Sequence, residues 1–227
     1  MERTTIKFKL NEKLYLRDPQ DTELGQKIIE QSIVLIDSLG FEQFTFKKLA
    51  TSIDSTEASI YRYFENKNKL LIYLVSWYWV WLEYKIQFHT NNIDSAREKL
   101  AIIIHIICES QKKVLVSSID EKALYRIVVA ESAKAYLLKE VDEINKEGVY
   151  LNYKKLNKTI ATLILEINPA YEYPNALVST LIETAHQQLF FSQHLPSLTN
   201  ITSKDSSLEK IQEFIEHLLW SSIEPKK

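Results

Sequence analysis

From Thr22 onward, apolar residues recur at steps of three and four. Leu24, Ile28, Ile29, Ile33, Ile36 and Leu39 fall on one face of a helix. Gly40 supplies the left-handed C′ residue that ends it. Phe41, Phe44 and Phe46 then read as a core plug between this helix and the next two. Thr45 can N-cap a second helix, Phe46 to Ser52. Asp54-Ser55-Thr56 is turn and cap together, because Asp tolerates unusual backbone angles and Ser or Thr accepts from orphan amides. A third helix runs to Phe64, with Glu57 in the first turn where the helix dipole favours an acid. Asn66 caps a long fourth helix holding Trp77, Trp79 and Trp81. Further helices are expected over 95–117, 121–146, 150–167, 175–193 and 207–223, with Gly148, Pro169, Pro174 and Pro196 in the breaks. Ser206 and Glu209 have capping-box spacing for the last. Ahead of Thr22, Ile6-Lys7-Phe8-Lys9-Leu10 alternates as a strand does, and Asp18-Pro19 closes that segment.

The pattern predicts an all-α protein in three parts: an N-terminal extension (1–21), a three-helix unit (22–71) and a helical body (72–227) joined to it by the long fourth helix. The extension reads either as a tail packed on the body or as a basic arm that reaches DNA.

Composition removes several classes. The three glycines, Gly25, Gly40 and Gly148, make no phosphate-binding loop. The single cysteine, Cys108, excludes an internal disulfide or a cysteine zinc site, and its apolar surroundings suggest a buried, inert thiol. Net charge is −2, so any nucleic-acid contact must come from a local patch. Charge interrupts every apolar run before about 18 residues, and the first apolar residues alternate with lysines, unlike a signal peptide. A cytoplasmic protein without membrane spans is expected.

Two short helices around a tight turn, braced by a first helix ending at Gly40, form a helix-turn-helix. Its second helix can enter the major groove, about 12 Å wide. Ala58, Ile60 and Phe64 supply that helix's apolar face, and Thr56, Glu57, Ser59, Tyr61, Arg62 and Tyr63 its polar one. With Gly40-Phe41, Thr45, Leu49-Ala50 and the ending Tyr61-x-Tyr63-Phe64-x-Asn66-Lys67-x-x-Leu70, residues 28–71 resemble the TetR family of one-component transcriptional regulators. The resemblance implies a DNA-binding regulator, a repressor, that reads a near-palindromic double-stranded operator as a homodimer and is released by a small apolar effector. It implies DNA contacts by Thr45, Lys47, Thr56, Glu57, Ser59, Tyr61, Arg62, Tyr63 and Lys67. The competing reading makes Thr45 and Thr56 caps alone and puts Tyr61 and Tyr63 partly in the core. Family members commonly carry glycine and an apolar residue where this chain has Asp54 and Ser55, and lysine or another neutral or basic residue at Glu57. These departures, with a balance of only +2 over residues 45–72, favour a rival: a helical ligand-binding protein that kept the scaffold and lost DNA binding.

For the body, aromatic residues on the fourth helix suggest an apolar pocket lined by Trp77, Trp81 and Tyr84, with His105, Tyr125 and Tyr136 as polar groups. Leu181, Ala185 and Leu189, with Leu208, Ile211, Ile215 and Leu219, make stripes that the resemblance assigns to a two-fold, four-helix dimer interface. Enzyme chemistry is thin. Glu183-x-x-His186 has di-iron spacing but no second copy, and His105 with Glu109 could hold a metal or merely a hydrogen bond. No cofactor, metal site or catalytic residue is expected.

Overall fold

The computed structural model describes residues 7–108, 119–201 and 207–224. Among them are eleven α-helices and no strand: α1 (Glu23–Leu39), α2 (Phe46–Ser52), α3 (Glu57–Tyr61), α4 (Lys67–Thr90), α5 (Ala96–Cys108), α6 (Glu121–Glu131), α7 (Ala133–Tyr136), α8 (Val141–Lys146), α9 (Leu151–Ile167), α10 (Pro174–His194) and α11 (Ser207–Ile223). The chain packs as two compact units, one from residues 1–80 and 111–152, the other from 81–110 and 153–227.

In the first unit, Thr22 caps α1 by accepting from the Gly25 amide at 3.0 Å. Ile28, Ile29, Ile33 and Ile36 bury that helix's apolar face, and α1 packs against α2 and α6. Gly40 ends α1 with its N–H on the Ile36 carbonyl at 2.8 Å. Its φ of 77° comes with a ψ of 156°, not the left-handed helical pair expected, and this region is essentially open to glycine alone. Residues 70–75 and 77–79 of α4 are buried on all sides, as a helix apolar around its circumference must be.

Two expectations change. Phe8 and Leu10 are buried while Lys7 and Lys9 are exposed, so the alternation is real. No strand forms, however. Phe8 pairs its N–H and C=O with the side-chain amide of Gln20, at 3.0 and 2.8 Å, in place of a neighbouring strand. The single helix expected over 121–146 is broken into α6, α7 and α8. The Tyr150 hydroxyl donates to the Ala135 carbonyl at 2.7 Å, occupying an acceptor that helix continuation would use. Helix α5 is described as far as Cys108; the rest of the expected 95–117 helix, with Glu109 and the Ser206 cap, lies outside the described residues.

In the second unit, α10 and α11 pack on each other and on α5. The interior is aliphatic. Leu100, Ile103, Ile104, Ile107, Ile160, Val178, Leu181, Ile182, Ile215 and Leu219 surround a cavity of about 10 Å³, room for about one water molecule at most. Cys108 is buried and free, and burial pushes its thiol up to about 12, so it stays protonated and unreactive.

Candidate nucleic-acid interface

Helices α2 and α3 stand on Phe44, Phe46, Leu49 and Ile60, all buried. Their turn is a Schellman motif. The Ser55 amide reaches the Ala50 carbonyl at 2.9 Å and the Asp54 amide the Thr51 carbonyl at 3.4 Å. Asp54 has φ 51°, and among the described residues no other non-glycine has a positive φ. Aspartate therefore holds the position family members give to glycine, and the turn is intact.

The caps come next. Thr45 Oγ1 accepts from the Lys48 amide at 3.2 Å, and Thr56 Oγ1 from the Ser59 amide at 3.2 Å. Both threonines are exposed. Thr56 Oγ1 also lies 3.0 Å from Ser59 Oγ. A cap that accepts keeps its hydroxyl proton for another acceptor, such as a phosphate oxygen. Lys47, Glu57 and Arg62 are exposed and Ser59 is half-buried. Tyr61 is 48% exposed although its ring meets Phe46 edge-on at 5.0 Å. It combines packing with an accessible hydroxyl.

Tyr63 and Lys67 stand apart from this row. Because α3 ends at Tyr61, the chain is already turning towards α4 at Tyr63. Tyr63 is 2% exposed, its hydroxyl 2.7 Å from Thr22 Oγ1. Lys67 Nζ donates to the carbonyls of Phe41, Glu42 and Phe44 at 3.1, 3.3 and 3.4 Å and lies 4.7 Å from the centre of the Phe41 ring. Its charge closes the α1–α2 turn in this structure, whereas the resemblance implied a phosphate contact.

Sequence reasoning missed the polar clamps that fix this head on α6. Arg126 grips Asp37 with two bonds, at 2.8 and 2.6 Å. The Phe41 amide donates to the buried Glu131 carboxylate at 3.0 Å. Lys134 pairs with Glu131 at 2.7 Å and Glu42 at 2.8 Å, and these bonds hold its ammonium above the usual lysine range. Only the Glu131–Lys134 spacing of three was visible beforehand; partners some 90 positions apart were not.

Residues 28–74 match the family model for bacterial regulatory proteins of the tetR family. The chain carries a TetR-family DNA-binding domain. It is 23% identical over 184 residues to a probable HTH-type transcriptional regulator, YttP, of Bacillus subtilis, covering 76% of this chain and 88% of that one. Solved structures share the fold over most of the length. One is a transcriptional regulator from Saccharomonospora viridis in complex with choline (TM-score 0.62, 15% identity, 90% of this chain and 100% of that one). Another is AibR in complex with isovaleryl coenzyme A and operator DNA (TM-score 0.57, 16% identity, 88% and 100%). Over most of its length the chain thus resembles transcriptional regulators whose DNA-binding domain is of the TetR family, as the opening motif implied.

The expected effector residues of this TetR-type regulator do not gather at the aliphatic cavity. Trp77, Tyr125 and Tyr136 belong to the first unit. Trp77 meets Phe8 edge-on at 5.3 Å, Tyr125 lies beside Tyr78, and the Tyr136 hydroxyl accepts from Trp79 Nε1. Trp81, Tyr84 and His105 belong to the second. Trp81 stacks on Tyr84 at 5.5 Å, and exposed His105 has Nδ1 2.9 Å from Gln212 Oε1. None of the six lines the cavity.

The expected dimer stripes are also placed differently. Leu181, Ala185, Leu189, Ile211, Ile215 and Leu219 are each at most 5% exposed within one chain, and Leu208 is half-buried. They form the seam between α10 and α11, because two apolar stripes on neighbouring helices of one chain satisfy each other first. Among the described residues no cluster of three or more metal-capable side chains occurs, Glu183 and His186 included. No helix among them is long and apolar enough to cross a membrane.

Proposed function

We propose that this regulator is a cytoplasmic, dimeric repressor whose α3 helices read the half-sites of a near-palindromic operator, and that a small molecule held in the helical body releases it. The observation that carries the reading is the exposed or half-buried row Thr45, Lys47, Thr56, Ser59, Tyr61 and Arg62 on a helix-turn-helix whose turn is intact. Donors of this kind suit phosphate positioning and major-groove readout. Glu57, exposed in the same row, suits a cytosine amino group better than phosphate. The intact turn at Asp54 weighs against the rival in which the scaffold lost DNA binding.

AibR in its complex carries operator DNA and isovaleryl coenzyme A, and the S. viridis protein carries choline. Ligands so unlike on one fold support an effector here without naming its class. An effector can act only through different affinities for two arrangements. The clamps Asp37–Arg126 and Phe41–Glu131 would carry α6 movement to α1.

With the stripes of α10 and α11 used internally, the dimer would use their flanks: Leu177, Gln188 and Phe191, half-buried, on α10, and Leu218 with Phe214, 37% exposed, on α11. Phe214→Glu should give monomers at micromolar concentration by light scattering while keeping the helical circular dichroism signal. A dimer unchanged by that substitution removes the flank assignment. The test of the reading as a whole is selection of duplexes from a random pool by the purified protein at physiological salt. Recovery of an inverted repeat supports the repressor; recovery of nothing, with and without prior unfolding to strip ligand, sinks it.

A further inference from the structure

Residues 8–20, ahead of α1, are bound along their length within the first unit. Leu10, Leu14 and Pro19 are buried. Phe8 meets Trp77 edge-on, and Gln20 clamps the Phe8 backbone. Gly25 lets the Pro19 backbone come so close that a Cβ would lie 2.3 Å from the Pro19 carbonyl oxygen. Three contacts converge on the junction between α3 and α4. The Leu16 amide donates to the Tyr63 carbonyl at 2.8 Å, Arg17 lies 5.6 Å from the centre of the Tyr63 ring, and Tyr15 meets Tyr73, the ring that Phe64 also meets. At its other end, Asn11 Nδ2 donates to the Glu147 carbonyl at 2.8 Å, and Lys69 Nζ reaches the Lys13 carbonyl at 3.2 Å.

We propose that residues 8–17 are a positioning strap for the recognition helix, holding the α3–α4 junction through Leu16, Arg17 and Tyr15 and anchoring it to the turn before α9 through Asn11. The strap thus takes the place of the DNA-reaching arm that its basic residues suggested. Lys7 is paired with Asp21, and Arg17 is spent on Tyr63. Backbone bonds to Tyr63 and Glu147 do a positioning task, which no arm needs. The function of the strap rests on the DNA-binding reading above.

Leu16→Pro deletes one N–H. The Leu16 side chain is 59% exposed, so little packing goes with it. Tyr15, at φ −143° and ψ 156°, already has the extended backbone that a following proline requires. Leu16→Ala, which keeps the N–H, is the control. The strap requires Leu16→Pro to raise amide exchange in α3 and at Tyr63–Glu65 by about tenfold, with α1 unchanged. Affinity for a duplex selected by the wild type should fall by a similar factor, with random-duplex affinity and salt slope unchanged. Exchange and operator binding matching Leu16→Ala would overturn the proposal. So would a salt slope lower by about 1 in Lys9→Ala or Lys13→Ala, the signature of an arm on phosphate. Should Leu16→Pro fail to fold, Asn11→Ala cuts the other anchor and is read in the same two ways. If the wild type selects no duplex, the DNA reading falls, and exchange still decides the strap.

Discussion

The two units are built from different materials. The first holds its shape with aromatic rings and directed polar bonds: Phe44, Phe64, Tyr73 and Trp79 fully buried, the Glu131 carboxylate on the Phe41 amide, and the Lys67 ammonium in a nest of three carbonyls. The second is an aliphatic interior of isoleucine, leucine and valine around a small residual cavity. Rings and hydrogen bonds specify angle as well as distance, which a helix aimed at base edges needs. Aliphatic contacts specify volume and little else, so such an interior can rearrange around a guest at modest cost. Each material suits the task proposed for its unit.

The comparison breaks most readily at the ring plug. Phe44→Ala should cost about 3–5 kcal/mol, and operator binding should go with it, because Phe44 supports both α1 and α2. Leu219→Ala in the aliphatic interior should cost about 2–5 kcal/mol yet leave operator affinity per folded dimer unchanged. Thermal unfolding and binding, measured on both variants, read this directly. Equal damage to operator binding would show that the interior is as directional as the head.

Next comes the one histidine of that interior. His186 is fully buried, and burial lowers its pKa to about 4. An unfolded chain takes up this proton near pH 6.5, the folded one only near 4. The unfolded state therefore binds more protons between these values, and stability falls as pH drops through that window. The loss should be of order 3 kcal/mol by pH 4, and His186→Leu should flatten that part of the curve. Denaturant titrations from pH 7 to 4 check both.

Legibility in the sequence followed the same divide. Local chemistry was readable: the Thr45 and Thr56 caps, the Asp54 turn and the Asn66 cap, whose side chain accepts from the Lys69 amide at 2.9 Å. These depend on neighbours within a few residues. The side of a helix that meets a given partner was less readable. Leu181 and Ile215 were visibly one stripe each, but periodicity does not say whether a stripe meets its own chain or a copy. Tyr63 was misjudged for a local reason, since extending α3 past Tyr61 kept it on the outer face. The clamps Asp37–Arg126 and Phe41–Glu131 depend on tertiary approach, which no short-range pattern encodes.

Lys67 tests where the head's polar bonds belong. Lys67→Met keeps the stem and removes the ammonium from the three carbonyls. The expected cost is about 1–3 kcal/mol, read as a lower unfolding temperature without DNA. If the ammonium also moves to a phosphate in the complex, the salt slope of operator binding drops by about 1 in addition; an unfolding temperature unchanged without DNA would mean that the three carbonyl bonds contribute nothing net.

The smallest expected effect has the opposite sign. Asp54 sits at φ 51° in the C′ position of the Schellman turn, where glycine meets no steric penalty. Asp54→Gly relieves that strain, though it also widens the conformational freedom of the unfolded chain, which works against it. Because a β-carbon in left-handed geometry costs roughly 1–2 kcal/mol for ordinary residues and less for aspartate, the net gain should be a few tenths of a kcal/mol up to about 1. The substitution also removes an acidic group from a head with a weak positive balance, so random-duplex affinity should rise slightly while operator sequence preference stays the same. A loss of stability instead would mean that the Asp54 side chain supports the turn through its own hydrogen bonding, and that this head uses aspartate for more than its backbone.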